Sequence, residues 1–345
     1  MKKRILLLLF FILVFSGFSQ TAKIDSLKGE LTKSISDSVR AKILNDISYY
    51  YLFQNIDSTI SFGKKVIALA KNKPKLQKDL VISYMNIGNG FSFKNQFDSA
   101  QIYINKSLQM ADKFPKTKSS AYVALGIMHR RKGQFNKSLE AYLEGVQIDE
   151  KLDYKYGMFG KYSNIANVYY EMSEYDKSIE YNERALALSE QSEDKRIALV
   201  TGKALSNIAQ SYQRKGDFNR SLDYLNKAVE QNLANQNKSG LAKDYINIAN
   251  IYSQINQLKL GITYALKALK LSQEFGDSYD LIDVNKSLGV LYGKRKEENK
   301  SKFYFDKALS IALESENLSY LSEIYLDMSN YFHDSGNSRK ALDFH

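Results

Sequence analysis

The chain has 345 residues, of which 44% are hydrophobic and 25% are charged, and this composition excludes an intrinsically disordered protein. It contains only 2 prolines and no cysteine, which favours helices and excludes disulfides. Its net charge is +11, but the basic residues are interspersed with acidic ones along the chain. This mixture is more typical of a solvated protein surface than of a nucleic-acid-binding site.

The first 19 residues have the layout of a secretory signal peptide. Lys2–Arg4 is a cationic start, Ile5–Phe15 is an apolar run of 11 residues, and Gly17 and Ser19 are small residues suited to cleavage before Gln20. The run is shorter than the roughly 20 residues of a membrane-spanning helix, which disfavours the alternative of a retained anchor. We therefore expect an exported protein, periplasmic or extracellular, with no membrane insertion after cleavage unless a continuation of the chain supplies a membrane helix.

Residues 20–40 are predicted to form a leading amphipathic helix that caps the N-terminal end of the fold. Ile24, Leu27, Leu31 and Ile35 are spaced so that they share one helical face.

A small residue then recurs eight times within residues 41–345, at intervals of 40, 38, 40, 43, 40, 40 and 40 residues. A large aliphatic residue stands directly before it, and an aromatic ring follows three residues later in every copy except the third, which has His129. These positions share one face of a helix, and the small residue allows a neighbouring helix to approach closely. The eight small residues are Ser48, Gly88, Gly126, Ala166, Ala209, Ala249, Gly289 and Ser329.

Each copy continues with signals for a turn and a second helix. Most copies have Gly or Asn seven residues after the small residue, and both types tolerate the left-handed conformation that ends a helix. Three residues later, Asp98, Asn136, Asp176, Asn219 and Asn299 are predicted to cap the second helix. The repeats start near residues 41, 81, 119, 159, 202, 242, 282 and 322, and the last is incomplete.

The stretches around Gly126 and Ala209 resemble the tetratricopeptide repeat family, since Leu125 or Ile208 precedes the small residue and Gly133 or Gly216 follows the aromatic position. The resemblance implies an all-α fold, a right-handed α-solenoid of about eight repeats. Two features depart from the family: its closing proline is missing, and the period is near 40 instead of 34. HEAT and armadillo arrays share this period but lack the small-residue and aromatic spacing.

Amide side chains recur two residues before and one residue after the small residue, on one face of the first helix. The family resemblance implies that this face lines a concave groove, where amides can bind the main chain of an extended peptide and arginines can pair with acidic groups. The alternative is that the amides connect neighbouring helices. The predicted peptide-binding residues are Asn86, Asn89, Arg130, Arg131, Asn164, Asn167, Asn207, Gln210, Arg214, Asn247 and Asn250.

No pattern in the sequence points to catalysis, a cofactor or a metal. The three histidines have no partner at metal-ligand spacing, and phosphate-loop and nucleophile-elbow motifs are missing. We therefore predict a non-enzymatic scaffold that binds a protein or peptide and no nucleic acid.

An alternative function is the sensory input region of a longer, membrane-bound histidine kinase or transcriptional regulator, because the chain resembles extracytoplasmic repeat regions of such proteins. The second helix of the eighth repeat begins at Ser338 and stops at His345, leaving Ala341, Leu342 and Phe344 without a capping helix. We therefore expect the 345 residues to be a fragment of a longer protein.

Overall fold

The predicted all-α fold is confirmed by a computed structural model, which describes residues 17–52, 54–275, 278–315 and 318–334. Within these ranges the chain forms sixteen α-helices, one 3-10 turn at Pro74–Leu76, and no strand. The helices are α1 Gly17–Leu31, α2 Asp37–Tyr51, α3 Ile56–Ala70, α4 Gln77–Phe93, α5 Phe97–Met110, α6 Pro115–Arg131, α7 Phe135–Lys151, α8 Lys155–Glu171, α9 Tyr175–Glu190, α10 Lys195–Arg214, α11 Phe218–Ala234, α12 Lys238–Gln254, α13 Leu258–Phe275, α14 Ser278–Lys294, α15 Glu298–Glu314 and α16 Leu318–Asp334.

The helices fall into two compact units, Ser19–Ile197 and the described residues from Ala198 onward. In the first unit each helix from α2 to α9 packs against the next helix in the chain, and in the second unit the same holds from α11 to α16. The first helix of one repeat also contacts the first helix of the next, as α4 contacts α6 and α12 contacts α14.

The small residue lies where the two helices of a repeat touch, as its spacing predicts. A Cβ atom added at Gly126 would lie 2.5 Å from the ring of Tyr142, and one added at Gly289 would lie 2.9 Å from the ring of Phe305. Ala166, Ala209 and Ala249 are fully buried at the same position. The first helix therefore has no room for a larger side chain at this point.

A serine of the second helix also binds the small residue. Ser138 Oγ donates a hydrogen bond to the carbonyl of Gly126 at 2.8 Å, and Ser301 Oγ donates to Gly289 at the same distance. The serines are fully buried. Ser138 and Ser301 each end an Asn-x-Ser sequence, and their contacts show that these serines serve to pair the two helices of a repeat.

The turn prediction is confirmed in the second to seventh repeats, whereas in the first repeat Asn55 has an extended φ of −151° and instead caps α3 by accepting from the Ser58 amide. The predicted caps of the second helices lie two residues too late. Backbone φ is positive at Asn95, Gly133, Ser173, Gly216, Asn256 and Lys296. The second helices start at Phe97, Phe135, Tyr175, Phe218 and Glu298, so that the five predicted caps occupy the second position of each helix. At Asp98 and Asp176 the negative charge is still favourable there, because it faces the positive end of the helix dipole.

Among the described residues, the aromatic residue of the first helix stacks on a ring of the second helix in six repeats. The centroid distance is 5.4 Å between Phe91 and Tyr103 and 5.5 Å between Tyr169 and Tyr181. His129 instead forms a 2.8 Å hydrogen bond from Nδ1 to Oε1 of Gln134, and burial lowers its pKa. This histidine therefore has the structural role that the repeat pattern predicts.

The leading helix α1 is shorter than predicted, since it ends at Leu31. Ser36 accepts a hydrogen bond from the Val39 amide and starts α2 within the predicted leading segment. Ile24 and Leu27 are buried against Ile43 of α2, so that α1 covers the first repeat. Most of the predicted signal peptide, residues 1–16, and the predicted helix from Ser338 lie outside the described residues.

A carboxyl group is buried between two repeats of the second unit. The Asp244 carboxylate accepts hydrogen bonds from Ser206 Oγ at 2.6 Å and from Asn232 Nδ2 at 2.7 Å. Burial raises its pKa to about 6, although both hydrogen bonds act in the opposite direction. The negative form of Asp244 is therefore unfavourable in the folded protein.

We expect the substitution Ala209→Leu to lower the free energy of unfolding by about 1–3 kcal/mol, because it overpacks the contact with α11. Ala209 is fully buried in a cluster with Leu225 and Ile248. Urea denaturation measures the change, and Leu199→Ala, at an exposed position, serves as the control. An unchanged midpoint for Ala209→Leu would contradict this packing.

We expect Asp244→Asn to stabilise the protein at pH 8 by about 1–3 kcal/mol and to have little effect at pH 4. The folded pKa is raised from 3.8 to about 6, so the contribution of the carboxyl group to stability is present below its unfolded pKa and is lost as the pH rises through 6. The asparagine can still accept from Asn232, and it can donate to Ser206, whose hydroxyl already donates to the Gly202 carbonyl at 2.9 Å.

Urea denaturation of both proteins at the two pH values checks this prediction. Asp223→Asn, at an exposed position of α11, is the matched control. An equal difference between Asp244→Asn and wild type at pH 4 and pH 8 would show that charge is not the cause.

Candidate functional site

The eleven predicted peptide-binding residues lie on the first helices of the repeats, and the structure divides them by whether the protein itself already binds their side chains. In the unit Ser19–Ile197 they belong to α4, α6 and α8, and in the unit from Ala198 onward they belong to α10 and α12.

Asn86 connects two first helices. Its side chain is buried, and Nδ2 donates to the Asn45 carbonyl at 3.2 Å. Asn45 in turn donates from Nδ2 to the Asp79 carbonyl at 2.9 Å. Asn86 therefore follows the alternative interpretation, in which the amide holds neighbouring helices together.

Asn250 also binds within the protein, because its Oδ1 accepts a hydrogen bond from Ser287 Oγ at 2.7 Å and so joins α12 to α14. Asn167, Asn207 and Arg214 each interact with another group of the protein.

The guanidinium groups of Arg130 and Arg131 bind other groups of the protein, so they do not support the prediction that they pair with an acidic ligand. Arg130 forms an ion pair with Glu171 of the next first helix. Arg131 donates from Nε to the Ser92 carbonyl at 3.1 Å, and its guanidinium lies 4.6 Å from the ring centroid of Phe93. A cation at the C-terminal carbonyls of α4 stabilises the negative end of that helix. These two arginines therefore couple repeats.

Four amides remain: Asn89 and Asn164 in the first unit, and Gln210 and Asn247 in the second. All four are half-buried. The Oδ1 atom of Asn89 is buried without a hydrogen-bond partner. Within the part of the chain that the structure describes, no hydrogen bond engages the side chain of Asn164, Gln210 or Asn247, so these amides can bind a ligand.

The second unit also has an open cleft of about 840 Å³ beside this face. Its apolar floor is Val290, Gly293 and Tyr331, and a Cβ atom at Gly293 would lie 2.6 Å from the Tyr331 ring. The glycine therefore allows α16 to pack closely, and the cleft opens beside this contact. Its polar and charged lining consists of Ser253, Gln254, Asn256, Lys294, Lys296, Glu298, Asp327 and Asn330.

Charges of both signs line this cleft. Lys294 Nζ donates to the Ser253 carbonyl at 2.9 Å, which is the same type of contact that Arg131 makes in the first unit. Burial raises the pKa of the Asp327 carboxyl, while Lys286, with Nζ 4.0 Å away, lowers it. Asp327 and Asn330 stand two residues before and one residue after Ser329, which are the amide positions of the repeat. Val290 and Lys294 could not be predicted from the sequence, because a single lysine or valine gives no repeating signal.

The described residues contain no group of three or more His, Cys, Asp or Glu side chains that could hold a metal ion. Nor does the described part of the chain contain a helix long and apolar enough to cross a bilayer.

Three stretches of the sequence match models of the tetratricopeptide repeat, at residues 119–152, 158–234 and 245–275. No curated protein matches the sequence. The solved structures that are similar share the fold at low sequence identity.

One such structure is the apo form of the quorum sensor NprR from B. thuringiensis, with a TM-score of 0.69 and 13% identity over 93% of this chain and 89% of NprR. A second is a Rap protein complexed with Competence and Sporulation Factor, with a TM-score of 0.62 and 15% identity over 89% of this chain and 86% of the Rap protein.

A third is a STAND signal-transduction ATPase from Pyrococcus horikoshii that has a tetratricopeptide repeat sensor. Its TM-score is 0.63, with 13% identity over 94% of this chain and 51% of the ATPase. The sequence matches and the shared fold agree with the helix pairs and the small-residue contacts described above. The three matched stretches therefore have the tetratricopeptide repeat pattern, and the chain shares the helical fold of these solved structures.

Proposed function

We propose that this protein is a non-enzymatic scaffold that binds an extended polypeptide on the first-helix face of its repeats. The observation that carries the proposal is the set of four amides, Asn89, Asn164, Gln210 and Asn247, which recur in the repeat pattern without being used by the fold. An amide side chain both donates and accepts hydrogen bonds, so it matches the alternating N–H and C=O groups of a peptide backbone.

The ligand has apolar as well as polar contacts in this proposal. In the third repeat of the first unit, Ala124 and Ile127 stand at the amide positions; Ala124 is buried, whereas Ile127 is half-buried and offers the peptide an apolar contact. In the second unit the cleft offers Val290 and Tyr331 as an apolar floor. Repeated main-chain hydrogen bonds give affinity, whereas such apolar positions select side chains.

A peptide ligand is also known for a protein of this fold, since the Rap structure contains Competence and Sporulation Factor. At 15% identity the similarity establishes the fold alone, so that complex supports the proposal without identifying the ligand of this chain.

A second candidate function is the sensory region of a longer signal-transduction protein. The chain spans about half of the STAND ATPase, whose repeats form a sensor. Peptide binding by the array is common to both candidates, and the second adds an output region elsewhere in the protein.

We expect the fourfold variant Asn89→Ala, Asn164→Ala, Gln210→Ala and Asn247→Ala to lose peptide binding while its melting temperature stays within about 2 °C of wild type. The reason is that these amides make no hydrogen bond inside the described protein, so their removal leaves no internal group unpaired. Binding of the fluorescently labelled protein to an array of random peptides measures the first effect, and thermal unfolding measures the second.

The matched control is Asn86→Ala, which removes an amide at the same repeat position that does bind inside the protein. It should lower the free energy of unfolding by about 1–2 kcal/mol, because it leaves the buried Asn45 carbonyl without this donor. If the fourfold variant binds the same peptides as wild type, the first-helix amides are not the site.

We also propose that the protein acts after export, in the periplasm or outside the cell, because residues 1–19 have the pattern of a signal peptide. Mass analysis of the N-terminus of the protein purified from its native cells should show that it begins at or near Gln20. An intact Met1 in the mature protein would contradict export by this route.

A further inference from the structure

A buried ion pair joins the third and fourth repeats in the first unit. The Asp149 carboxylate of α7 accepts from Lys161 Nζ of α8 at 2.5 Å, and both side chains are at least 95% buried. Ser119 Oγ of α6 donates to the other carboxylate oxygen at 2.6 Å. Three helices therefore meet at one charged group.

Two glycines make room for this pair. A Cβ atom at Gly145 would lie 2.5 Å from Cε of Lys161, and a Cβ atom at Gly157 would collide with the Asp149 carboxylate. The position of Gly145 is occupied by alanine in four other repeats, as Ala185, Ala228, Ala268 and Ala308. The glycine is thus matched to the lysine that packs on it.

The fifth and sixth repeats, in the second unit, have a different polar pair at the equivalent positions. Counted from the small residue of each repeat, Asn232 corresponds to Asp149, and Asp244 corresponds to Lys161. Asn232 Nδ2 donates to Asp244 Oδ2 at 2.7 Å. Gly240 corresponds to Gly157, and a Cβ atom there would lie 2.6 Å from Asn232 Oδ1. The same pocket is therefore built twice, with different chemistry.

Three other repeat pairs within the units carry small or apolar residues at these two positions. They are Ala111 with Ala121, Ser272 with Val284, and Ala312 with Ile324. A buried polar pair is thus not needed for stacking, and the two interfaces that have one call for another explanation.

We propose that the two buried polar pairs make their interfaces non-interchangeable and so determine which repeats stack on one another as the chain folds. Repeats that share one helix-pair architecture can stack in the wrong order, within one chain or between two copies. Wrong stacking of the sixth repeat on the third places Asp244 against Asp149, which buries two carboxylates together. Wrong stacking of the fourth repeat on the fifth places Lys161 against Asn232, which buries an ammonium without a counter-charge. Both arrangements are strongly unfavourable.

The first test measures the discrimination itself in the full chain. Lys161→Asp reproduces the wrong pairing, with two carboxylates, and should lower the melting temperature at pH 8 by roughly 10 °C. The further substitutions Asp149→Asn and Val123→Ser complete the arrangement of Asn232, Asp244 and Ser206 in the other interface, because Val123 corresponds to Ser206. The threefold variant should therefore regain most of the lost melting temperature. A melting temperature that Lys161→Asp leaves unchanged would overturn the proposal.

The second test asks whether the difference between the pairs guides stacking. In the threefold variant Val123→Ser, Asp149→Asn and Lys161→Asp, both interfaces have the same chemistry, so wrong stacking is no longer opposed. After dilution from urea this variant should give a yield of the original species reduced roughly twofold or more, with new oligomers in size-exclusion chromatography. A yield equal to that of wild type, at equal stability, would show that the pairs do not select partners.

The reciprocal variant Ala228→Gly, Asn232→Asp and Asp244→Lys gives an independent test if the threefold variant does not fold. It builds the ion pair into the fifth and sixth repeats, and the glycine provides the space that Gly145 provides for Lys161. The same loss of refolding yield is expected, and an unchanged yield would again overturn the proposal.

Discussion

A Cβ atom added at Gly88 would lie 2.6 Å from Ile104, and one added at Gly126 would lie 2.5 Å from Tyr142. The two helices of a repeat therefore touch at a point where the first helix has no room for a side chain. This close contact is the constraint on which the other features depend. It brings the carbonyl of the small residue within reach of a serine on the second helix, as at Ser138. It also places the ring three residues later against a ring of the second helix, as in the stack of Tyr252 on Tyr264.

Because the contact repeats, the fold could be predicted from the sequence. The recurrence of the small residue predicts the number and length of the repeats. The positive φ angle at Asn95 or Gly216 follows from the residue types at those positions. Two local features could not be predicted. The second helices begin before the asparagine or aspartate that suggested a cap, because packing against the first helix overrides the local preference. At Ser173 and Lys296 the turn conformation is imposed on residues that do not favour it.

The candidate site was harder to predict, because one repeat position has two uses. Asn86 and Asn164 both stand two residues before the small residue, yet Asn86 binds the carbonyl of Asn45 and Asn164 makes no hydrogen bond within the described protein. The difference depends on what the neighbouring repeat presents, about 40 residues away in the chain. A single sequence shows the position of each amide but not its partner.

The arginines show the same limit. Arg131 stands on the predicted binding face, but its guanidinium is held by the end of the preceding first helix, as the ammonium of Lys294 is in the second unit. Cations at this position therefore belong to the mechanism that couples repeats. Among the predicted peptide-binding residues, the groups left for a ligand are neutral amides, so we expect their contacts to depend on the peptide backbone more than on the charge of its side chains.

The two buried polar pairs restrict which repeats can stack on one another. An apolar interface such as that of Ala312 and Ile324 accepts any apolar neighbour of similar size, so it stabilises correct and incorrect stacking alike. A buried charge accepts one partner, because any other leaves it unpaired in a region of low dielectric constant. Burial opposes the ionisation of Asp244, so its negative form lowers the stability of the folded protein. Selective pairing of the repeats is therefore accompanied by a loss of stability at this interface. In this proposal the described repeats combine permissive interfaces, which stabilise the fold without selecting a partner, with two selective ones that define the order of the repeats.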